Sequence, residues 1–216
     1  MFFPVYLNLK GKRVIVIGGG EVAERKVRSL VETGALITVI SPDLTPHLAL
    51  MGRNRSIELR MRPYRPGDCK DASLILSATA DPETSKAVWE EGNRLGVLVN
   101  TADQPDLCDF IMPAVVRRAD LTVAISTGGA SPALAATLRR KIENIIGPEY
   151  ERLLGLLAKV RPEIRRRIKD EQNRKALHYR VLDSDVLSLL EKNDNDAAEG
   201  RLKEIIQEFV CQEKTS

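Results

Sequence analysis

The chain has 216 residues, and its 33 Lys and Arg residues against 30 Asp and Glu residues leave a net charge of only +3. Four Phe, four Tyr and one Trp are too few for a platform on which nucleic-acid bases stack, and three cysteines far apart in sequence indicate neither a disulfide framework nor a zinc site. No apolar run reaches the roughly 18 to 20 residues that span a bilayer, and the first residues do not resemble a signal peptide. We therefore expect a cytoplasmic protein without membrane contact.

The first 100 residues alternate between strands and helices. The pattern predicts short apolar strands over residues 14–17, 36–40, 57–61, 74–78 and 97–100. It predicts helices over residues 21–32, 44–52 and 82–95. This alternation favours an α/β fold with a Rossmann-like, doubly wound parallel sheet.

The pattern changes after Asn100. A polar loop leads to an apolar stretch and to a strand over residues 121–126, and a helix begins with Ser131 as its N-cap and Pro132 at its first position. From Pro148 onward the sequence predicts helices, with breaks near Pro162, near residues 178–183 and near residues 193–196. The alternation stops near residue 113, which we take as a domain boundary.

The net charge is unevenly distributed along the chain. Residues 1–138 carry a charge of +1, residues 139–180 carry +7, and residues 181–216 carry −5. The basic block either meets an anionic partner or forms a solvated helix face. Nucleic acid is disfavoured as that partner because of the acidic segment and the few aromatic side chains.

The glycine turn after the first strand is the first candidate site. Residues 18–23 fit the pattern GxGxxG/A, with Ala23 in the third position. Gly18 permits the tight turn, Gly20 lets a pyrophosphate approach the main chain, and the helix N-terminus attracts phosphate. The pattern therefore indicates dinucleotide binding, although a tight strand-to-helix turn would look the same.

An acidic residue follows the second strand, about twenty residues after the glycine turn. Asp43 stands where a carboxylate accepts hydrogen bonds from ribose hydroxyls and repels a 2′-phosphate, which favours NAD over NADP. Alternatively, Asp43 caps the next helix.

Two later loops carry further candidates. Asp103 follows the strand that ends at Asn100, and in an open α/β sheet such a loop points into the same crevice as the glycine turn, where a carboxylate can act as a general base. Ordinary turn chemistry is the alternative. The second glycine loop, residues 126–132, precedes a helix N-terminus and suits a substrate carboxylate, or is only a connection with a cap.

Three motifs together resemble the precorrin-2 dehydrogenase family, which includes the N-terminal part of siroheme synthase. They are GGGEVAERK, NTADQPDLCDFIMPA and STGGASPALA, and the resemblance covers about residues 1–150. It implies NAD-dependent oxidation of precorrin-2 to sirohydrochlorin by a homodimer. Some members also insert ferrous iron to give siroheme, whereas others only dehydrogenate. It further implies an NAD-binding Rossmann domain over residues 1–112, a dimerisation segment over 113–147 and a helical C-terminal domain over 148–216.

The resemblance also assigns roles to individual residues. Asp103 is expected to be the general base, and no residues are expected to hold a fixed metal. The expected cofactor contacts are Gly18, Gly19, Gly20, Glu21, Val22, Pro42, Asp43 and Thr79. The expected substrate contacts are Ser126, Thr127, Gly128 and Gly129. The basic block at 139–180 is expected to meet the acetate and propionate groups of the tetrapyrrole.

Two other functions fit parts of the same pattern. A non-catalytic NAD-sensing module would bind the nucleotide without tetrapyrrole affinity. A chelatase or tetrapyrrole carrier would retain the Rossmann fold without dehydrogenase activity. Formation of NADH from NAD and precorrin-2 separates both from the dehydrogenase.

Overall fold

A computed structural model describes residues 2–213 of the chain. The chain divides into two compact units, with the division between Met112 and Pro113. Each unit has an apolar core of its own. None of the helices within the described residues combines the length and the apolar character that crossing a bilayer requires.

The first unit is a five-stranded parallel sheet connected by helices. Its strands are β1 (Arg13–Ile17), β2 (Leu36–Ile40), β3 (Glu58–Arg60), β4 (Leu74–Ser77) and β5 (Val99–Thr101). Its helices are α1 (Glu21–Val31), α2 (Pro46–Arg53) and α3 (Pro82–Leu95), with a 3-10 turn at Pro105–Leu107. The strand order is β3-β2-β1-β4-β5, and every neighbouring pair is parallel. The predicted Rossmann-like fold is confirmed.

Both faces of this sheet are covered, which explains why its strands are continuous apolar runs. In β1, Val14 and Val16 belong to the core that includes Val27 of α1. Ile15 and Ile17 belong to the opposite core, together with Val88 of α3. Successive residues of a strand point to opposite faces, so one five-residue segment serves both layers.

The order of the strands determines where a ligand can bind. From β1 the chain proceeds outward through β2 to β3 and then returns to place β4 on the other side of β1. The loops that follow β1 and β4 therefore lead away from each other and leave a crevice at the carboxyl ends of the strands. The glycine turn follows β1 directly.

The second unit consists of a hairpin followed by helices. The hairpin strands are β6 (Ala114–Arg118) and β7 (Leu121–Ile125), which pair antiparallel. The helices are α4 (Pro132–Ile145), α5 (Glu149–Arg167), α6 (Glu171–Leu182), α7 (Val186–Glu191) and α8 (Asn195–Glu213). The core of α5 to α8 is aliphatic and includes Leu156, Ile164, Leu177, Leu202 and Ile205. The prediction of a helical C-terminal part is confirmed.

The sequence pattern predicts β7 but not its partner β6. The two strands are joined by only two residues, Ala119 and Asp120, because Arg118 pairs directly with Leu121. Ala119 has a positive φ of 48°, as such a tight turn requires, but alanine gives no sequence signal for that conformation. The short apolar stretch at Val115 and Val116 therefore lacks the turn signal that would mark it as a hairpin strand.

The predicted helix break near Pro162 is wrong, because α5 continues through this proline. A proline inside a helix removes the hydrogen bond to the carbonyl four residues earlier, which here belongs to Ala158, and costs about 3 kcal/mol. Pro162 and Ala158 are both exposed, so water can solvate that carbonyl. On the opposite side of α5, Leu156 and Ile164 flank the proline and are buried in one core, which keeps the helix in one piece. The chain breaks instead between Arg167 and Glu171.

Candidate functional site

Two glycines of the turn after β1 are required by close backbone approaches. Gly18 has a φ of +109°, and a Cβ atom there would lie 2.4 Å from the carbonyl oxygen of Ala78. Its amide N–H donates to the carbonyl of Ile40 at 2.9 Å, which ties the turn to the end of β2. A Cβ atom on Gly19 would lie 2.0 Å from the carbonyl oxygen of Asp43. Any side chain at these positions would push the ends of the neighbouring strands apart.

Gly20 differs from the other two glycines because nothing lies within 4 Å of the place where its Cβ would be. It is the N-cap residue of α1 and has an ordinary extended backbone. Lacking a side chain, it leaves the first N–H groups of α1 available to an anion, and the helix dipole favours negative charge there. In α3, by contrast, the side chain of Asp81 accepts from the amides of Glu83 and Thr84. The open surface above Gly20 fits a pyrophosphate.

A groove of about 910 Å³ runs along the carboxyl ends of the strands. We call it the strand-end groove. It is lined by four loop segments, residues 18–22, 41–45, 78–80 and 102–104. These segments follow β1, β2, β4 and β5, as expected for parallel strands that end at one edge. The groove therefore brings together all eight predicted cofactor-contact residues and Asp103.

Asp43 does not cap α2. Thr45 is the N-cap, and its hydroxyl accepts from the amide of Leu48 at 3.2 Å. The alternative interpretation of Asp43 as a helix cap is therefore wrong. Its side chain is exposed and lies in the lining of the strand-end groove, where a ribose can reach it. Thr79 also lines the groove, and its hydroxyl accepts from the amide of Asp81 at 3.2 Å.

Asp103 lies at the end of the groove that the loop after β5 forms. Its side chain is exposed, and its backbone is left-handed, with a φ of 58°. Asp109 of the same loop has a different role, since its carboxylate accepts from the amide of Val99 at 2.8 Å and closes the loop on itself. The structure thus separates a carboxylate open to the groove from one used for loop closure.

Sequence reasoning missed a buried lysine beneath this loop. Lys26 on α1 is 8% exposed, and its Nζ donates to Oδ1 of Asn100 at 2.5 Å. Asn100 in turn donates to Cys108 Sγ at 3.5 Å. A signal was available, because Lys26 stands on the apolar face of α1 beside Val27 and four residues before Leu30.

The second glycine loop belongs to the second unit and forms a turn of its own. Ser126 Oγ accepts from the amide of Gly128, and Thr127 Oγ1 accepts from the amide of Ser131, at 3.0 and 3.1 Å. Ser131 caps α4 through the amide of Leu134, as predicted. Gly128 and Gly129 have positive φ angles, and an added Cβ at either would meet nothing within 4 Å, so this loop presents an open backbone.

The basic block of the sequence forms part of a second cavity, of about 510 Å³, between α5 and α6. We call it the basic groove. Its cationic lining residues are Arg161, Arg165, Arg174 and Lys175, and His178 lies beside them. Glu171 is the acidic residue of the lining. Among the described residues, no three His, Cys, Asp or Glu side chains come together as metal ligands.

Three protein-family models match successive parts of the chain. A family model described as "Putative NAD(P)-binding" matches residues 5–114, half of the chain. The chain belongs to this NAD(P)-binding family. Two further models follow it: "Sirohaem biosynthesis protein central" matches residues 118–145, and "Sirohaem synthase dimerisation region" matches residues 149–206.

Curated relatives of this family member match along nearly its whole length. The chain is 35% identical over 212 residues to a siroheme synthase of Nitrosomonas europaea, covering 98% of the chain and 45% of the relative. It is 38% identical over 206 residues to a siroheme synthase of Thioalkalivibrio sulfidiphilus, covering 95% of the chain and 42% of the relative. The chain thus spans less than half the length of the curated relatives it matches.

A solved structure shares the fold of this NAD(P)-binding chain. It is "SirC, precorrin-2 dehydrogenase", with a TM-score of 0.78 and 24% sequence identity. The match covers 96% of this chain and 100% of that chain. Both units of the fold therefore occur together in a known structure.

Proposed function

We propose that this protein is an NAD-dependent dehydrogenase that oxidises precorrin-2 to sirohydrochlorin on the route to siroheme. The observation that carries the proposal is the strand-end groove, in which an open helix N-terminus at Gly20, the carboxylate of Asp43 and the carboxylate of Asp103 line one cavity. The similarity of nearly the whole chain to siroheme synthases supports the choice of substrate.

The groove fits NAD in an extended form. The pyrophosphate lies above Gly20, where the backbone is open and the helix dipole is favourable. Asp43 accepts hydrogen bonds from the adenosine ribose and repels a 2′-phosphate, which selects NAD over NADP. Glu21, Val22, Pro42 and Thr79 complete the cofactor contacts along the same lining. When bound, NAD supplies the acceptor for a hydride.

Asp103 is positioned to handle the proton of the reaction. The oxidation removes two electrons and one hydrogen nucleus as hydride and releases a second hydrogen as a proton. The carboxylate of Asp103, or a water that it orients, accepts that proton while a new carbon–carbon or carbon–nitrogen double bond forms in the macrocycle. The side chain is exposed in the groove and can reach a bound substrate. Holding both reactants in such a groove contributes about 7 to 11 kcal/mol to lowering the barrier in favourable cases.

The second unit supplies groups suited to a carboxylate-rich substrate. Arginine and lysine pair well with acetate and propionate groups, and the basic groove presents four such side chains. The loop of Ser126, Thr127, Gly128 and Gly129 offers hydroxyls and an open backbone for further contacts. We propose both as recognition elements for the tetrapyrrole.

We further propose that the protein acts as a cytoplasmic homodimer through its second unit. From the sequence, the dimerisation segment is expected at residues 113–147, before the helical domain at 148–216. The family model named for dimerisation matches residues 149–206 instead. The proposed interface therefore includes helices α5 to α8 as well as the hairpin.

The deciding experiment is incubation of the purified chain with precorrin-2 and NAD while NADH absorbance is followed. We expect NADH formation by the wild-type protein and a loss of at least 100-fold in kcat for Asp103→Ala, with the Kd for NAD within about threefold. The matched control is Asp106→Ala, an exposed neighbour in the same loop, which should retain activity. Full turnover by Asp103→Ala would remove this residue from the mechanism.

Parallel incubations with ferrous iron distinguish the alternative functions. NADH without a metallated product indicates a dehydrogenase alone, and both products indicate a bifunctional enzyme with iron as a second substrate. Tight NAD binding without any tetrapyrrole affinity would indicate a sensor module. Metal insertion into sirohydrochlorin without NADH formation would indicate a chelatase.

A further inference from the structure

Lys26 occupies a buried position, where a charged ammonium group destabilises the fold. It lies on the inner face of α1 between Ala23 and Leu30, and only 8% of its surface is exposed. Burying an ammonium without a counter-ion disfavours its charged form, and an apolar side chain would fill the same space at lower cost. The ion pairs within residues 2–213 include none of Lys26 with a carboxylate. Stability therefore does not explain a lysine at this position, and another role has to be sought.

The contacts of the ammonium point to the loop after β5. Its Nζ donates to Asn100 Oδ1 at 2.5 Å and lies 3.6 Å from Met112 Sδ. Asn100 lies in β5, where the loop begins, and Met112 is the last residue of the first unit, where the loop ends. Because the lysine bonds to the acceptor oxygen of Asn100, the amide nitrogen of that side chain is free to donate on the other side.

Asn100 passes this constraint to the far end of the loop. Its Nδ2 donates to the carbonyl of Phe110 at 2.8 Å and to Cys108 Sγ at 3.5 Å. The thiol of Cys108 makes three further contacts: it lies 3.2 Å from the amide and 3.1 Å from the carbonyl of Thr101, and 3.3 Å from the carbonyl of Gln104. Lys26 on α1 is therefore linked through the side chain of Asn100 to residues on both sides of Asp103 in the loop.

The loop needs such a support because of its backbone. Asp103 has a φ of 58°, in the left-handed region that L residues other than glycine adopt at a cost. Such a conformation persists where the surroundings determine it. The Asp103 side chain is itself exposed, so the support has to come from residues 100, 101, 104 and 108 beneath it.

The electrostatic surroundings of Lys26 are mixed. Burial lowers the pKa of its ammonium, the sulfur of Cys108 raises it, Arg25 on the same helix lowers it, and Asp103 raises it. Asn100 and Met112, the other contacts, carry no charge. A positive charge on Lys26 and a negative charge on Asp103 therefore favour each other.

We propose that Lys26 is a positioning residue for Asp103: its ammonium, acting through Asn100 and Cys108, holds the loop that presents the Asp103 carboxylate to the strand-end groove. The inference rests on the proposed role of Asp103 as the general base. It adds to that role a residue on a different element, 77 positions earlier in the chain, which touches neither cofactor nor substrate.

Lys26→Met tests the proposal, because methionine fills the space without the charge or the donor. We expect kcat to fall about 10- to 100-fold, the cost of a catalytic group misplaced by about 1 Å, while the Kd for NAD changes by less than threefold. Lys26→Arg, which keeps a charged donor, should recover part of that loss. Arg25→Met is the matched control, since it removes an exposed cation from the next position of the same helix and should leave kcat within twofold.

The split between kcat and KM separates positioning from a structural role alone. In Lys26→Met we expect kcat to fall while the KM for precorrin-2 stays within about threefold, because the groove lining is intact and only the loop that carries Asp103 is displaced. Thermal melting of the same variant should change little, because the gain from removing a buried ammonium offsets the loss of the donor to Asn100 Oδ1. An unchanged kcat, or a loss of activity that appears only in KM, would overturn the proposal. If Lys26→Met does not fold, Cys108→Ala breaks the same chain of contacts at a partly buried site and should lower kcat in the same way.

Hydrogen exchange keeps this test separate from that of the proposed function. If the wild-type protein forms no NADH from precorrin-2, the proposed reaction is wrong. The effect of Lys26 on the loop that carries Asp103 can still be measured. We then expect at least tenfold faster exchange of the amides of Thr101 and Asp109 in Lys26→Met than in Arg25→Met, since both amides are bonded within the loop. Equal exchange in the two variants would show that Lys26 does not hold the loop.

Discussion

Replacing Gly20 with alanine should abolish tight NAD binding without weakening the fold. Gly20 has a φ of −81° and a ψ of −173°, a conformation that any L residue adopts, and nothing lies within 4 Å of an added Cβ. An alanine at such a position gains about 0.4–1 kcal/mol through the unfolded state and loses about 0.5–1 kcal/mol because glycine is the better N-cap residue. The free energy of unfolding should therefore stay within about 1 kcal/mol of the wild-type value.

The effect on binding comes from the space that the methyl group takes. A pyrophosphate at the N-terminus of α1 must come within hydrogen-bond distance of the main chain at Gly20. A hydrogen bond to a charged group contributes about 1.5–3 kcal/mol, so the loss of one raises the Kd for NAD about 10- to 100-fold. The methyl group thus occupies space that the pyrophosphate needs, but it contacts no other atom of the protein.

Gly18→Ala should have the opposite result. The positive φ of Gly18 costs an alanine about 1–3 kcal/mol, and the contact of its Cβ with the carbonyl of Ala78 adds a further cost of about 1–3 kcal/mol. This variant should unfold at a clearly lower temperature or denaturant concentration. Gly155→Ala in α5 is the control: an added Cβ meets nothing there, and removing a helix glycine should stabilise by up to about 1 kcal/mol without any change in NAD binding.

Calorimetric titration with NAD and urea unfolding measure the two quantities separately. The expected pattern is weak binding with normal stability for Gly20→Ala, and low stability for Gly18→Ala. Wild-type affinity in Gly20→Ala would refute the placement of the pyrophosphate above this residue. A large loss of stability in the same variant would refute the geometry of the turn itself.

Two further predictions concern other parts of the first unit. Asp43→Ser should lower the preference for NAD over NADP about tenfold in comparative titrations, because it removes the acceptor for the ribose and the repulsion of a 2′-phosphate; an unchanged ratio would exclude Asp43 from cofactor selection. Arg62 donates two hydrogen bonds to Asp68 at 2.6 and 2.7 Å and holds the pKa of that carboxyl below its usual 3.8, so the pair stabilises the fold above pH 3.8 and loses this contribution as the pH falls through the lowered pKa. Urea unfolding should show Asp68→Asn less stable than the wild type at pH 7 and the difference shrinking below about pH 3.8, and a constant difference would contradict the ionic origin.

The edge where the candidate site lies could be predicted from the sequence because parallel strands leave their carboxyl ends together. The strand over residues 36–40 and the helix over 82–95 have the predicted bounds, since β-branched runs, Pro82 and Gly96 mark them clearly. Helix α3 ends in a left-handed residue, Gly96, as a C-terminal glycine predicts. Local signals of this kind are sufficient wherever neighbouring residues decide the backbone.

Interactions between distant residues could not be predicted in this way. Glu91 is 4% exposed on α3, and its carboxylate accepts from the hydroxyl of Tyr64 and from the amides of Gly67 and Cys69. In the sequence it is one of two consecutive glutamates on a polar helix. Lys26 differs, because its place on the apolar face of α1 does signal burial, but its partner Asn100 is 74 residues away and cannot be paired with it from the sequence. The group that satisfies a buried charge is recognised only in the folded chain.

The uneven charge of the chain has a physical explanation in the second unit. Acidic side chains from the segment of net charge −5 bond to cations of the basic segment: Glu208 pairs with Arg180 at 2.6 Å, and Glu199 lies 4.0 Å from Lys159. Exposed pairs of this kind contribute at most about 1 kcal/mol each to stability. Their main effect is to neutralise some cations of the basic segment and not others. The four cations of the basic groove have no ion pair with a carboxylate among the described residues. Helix α8 thus neutralises Lys159 and Arg180, which lie outside the groove lining, and the cations of the groove keep their charge for an anionic ligand, as the proposed recognition of a tetrapyrrole requires.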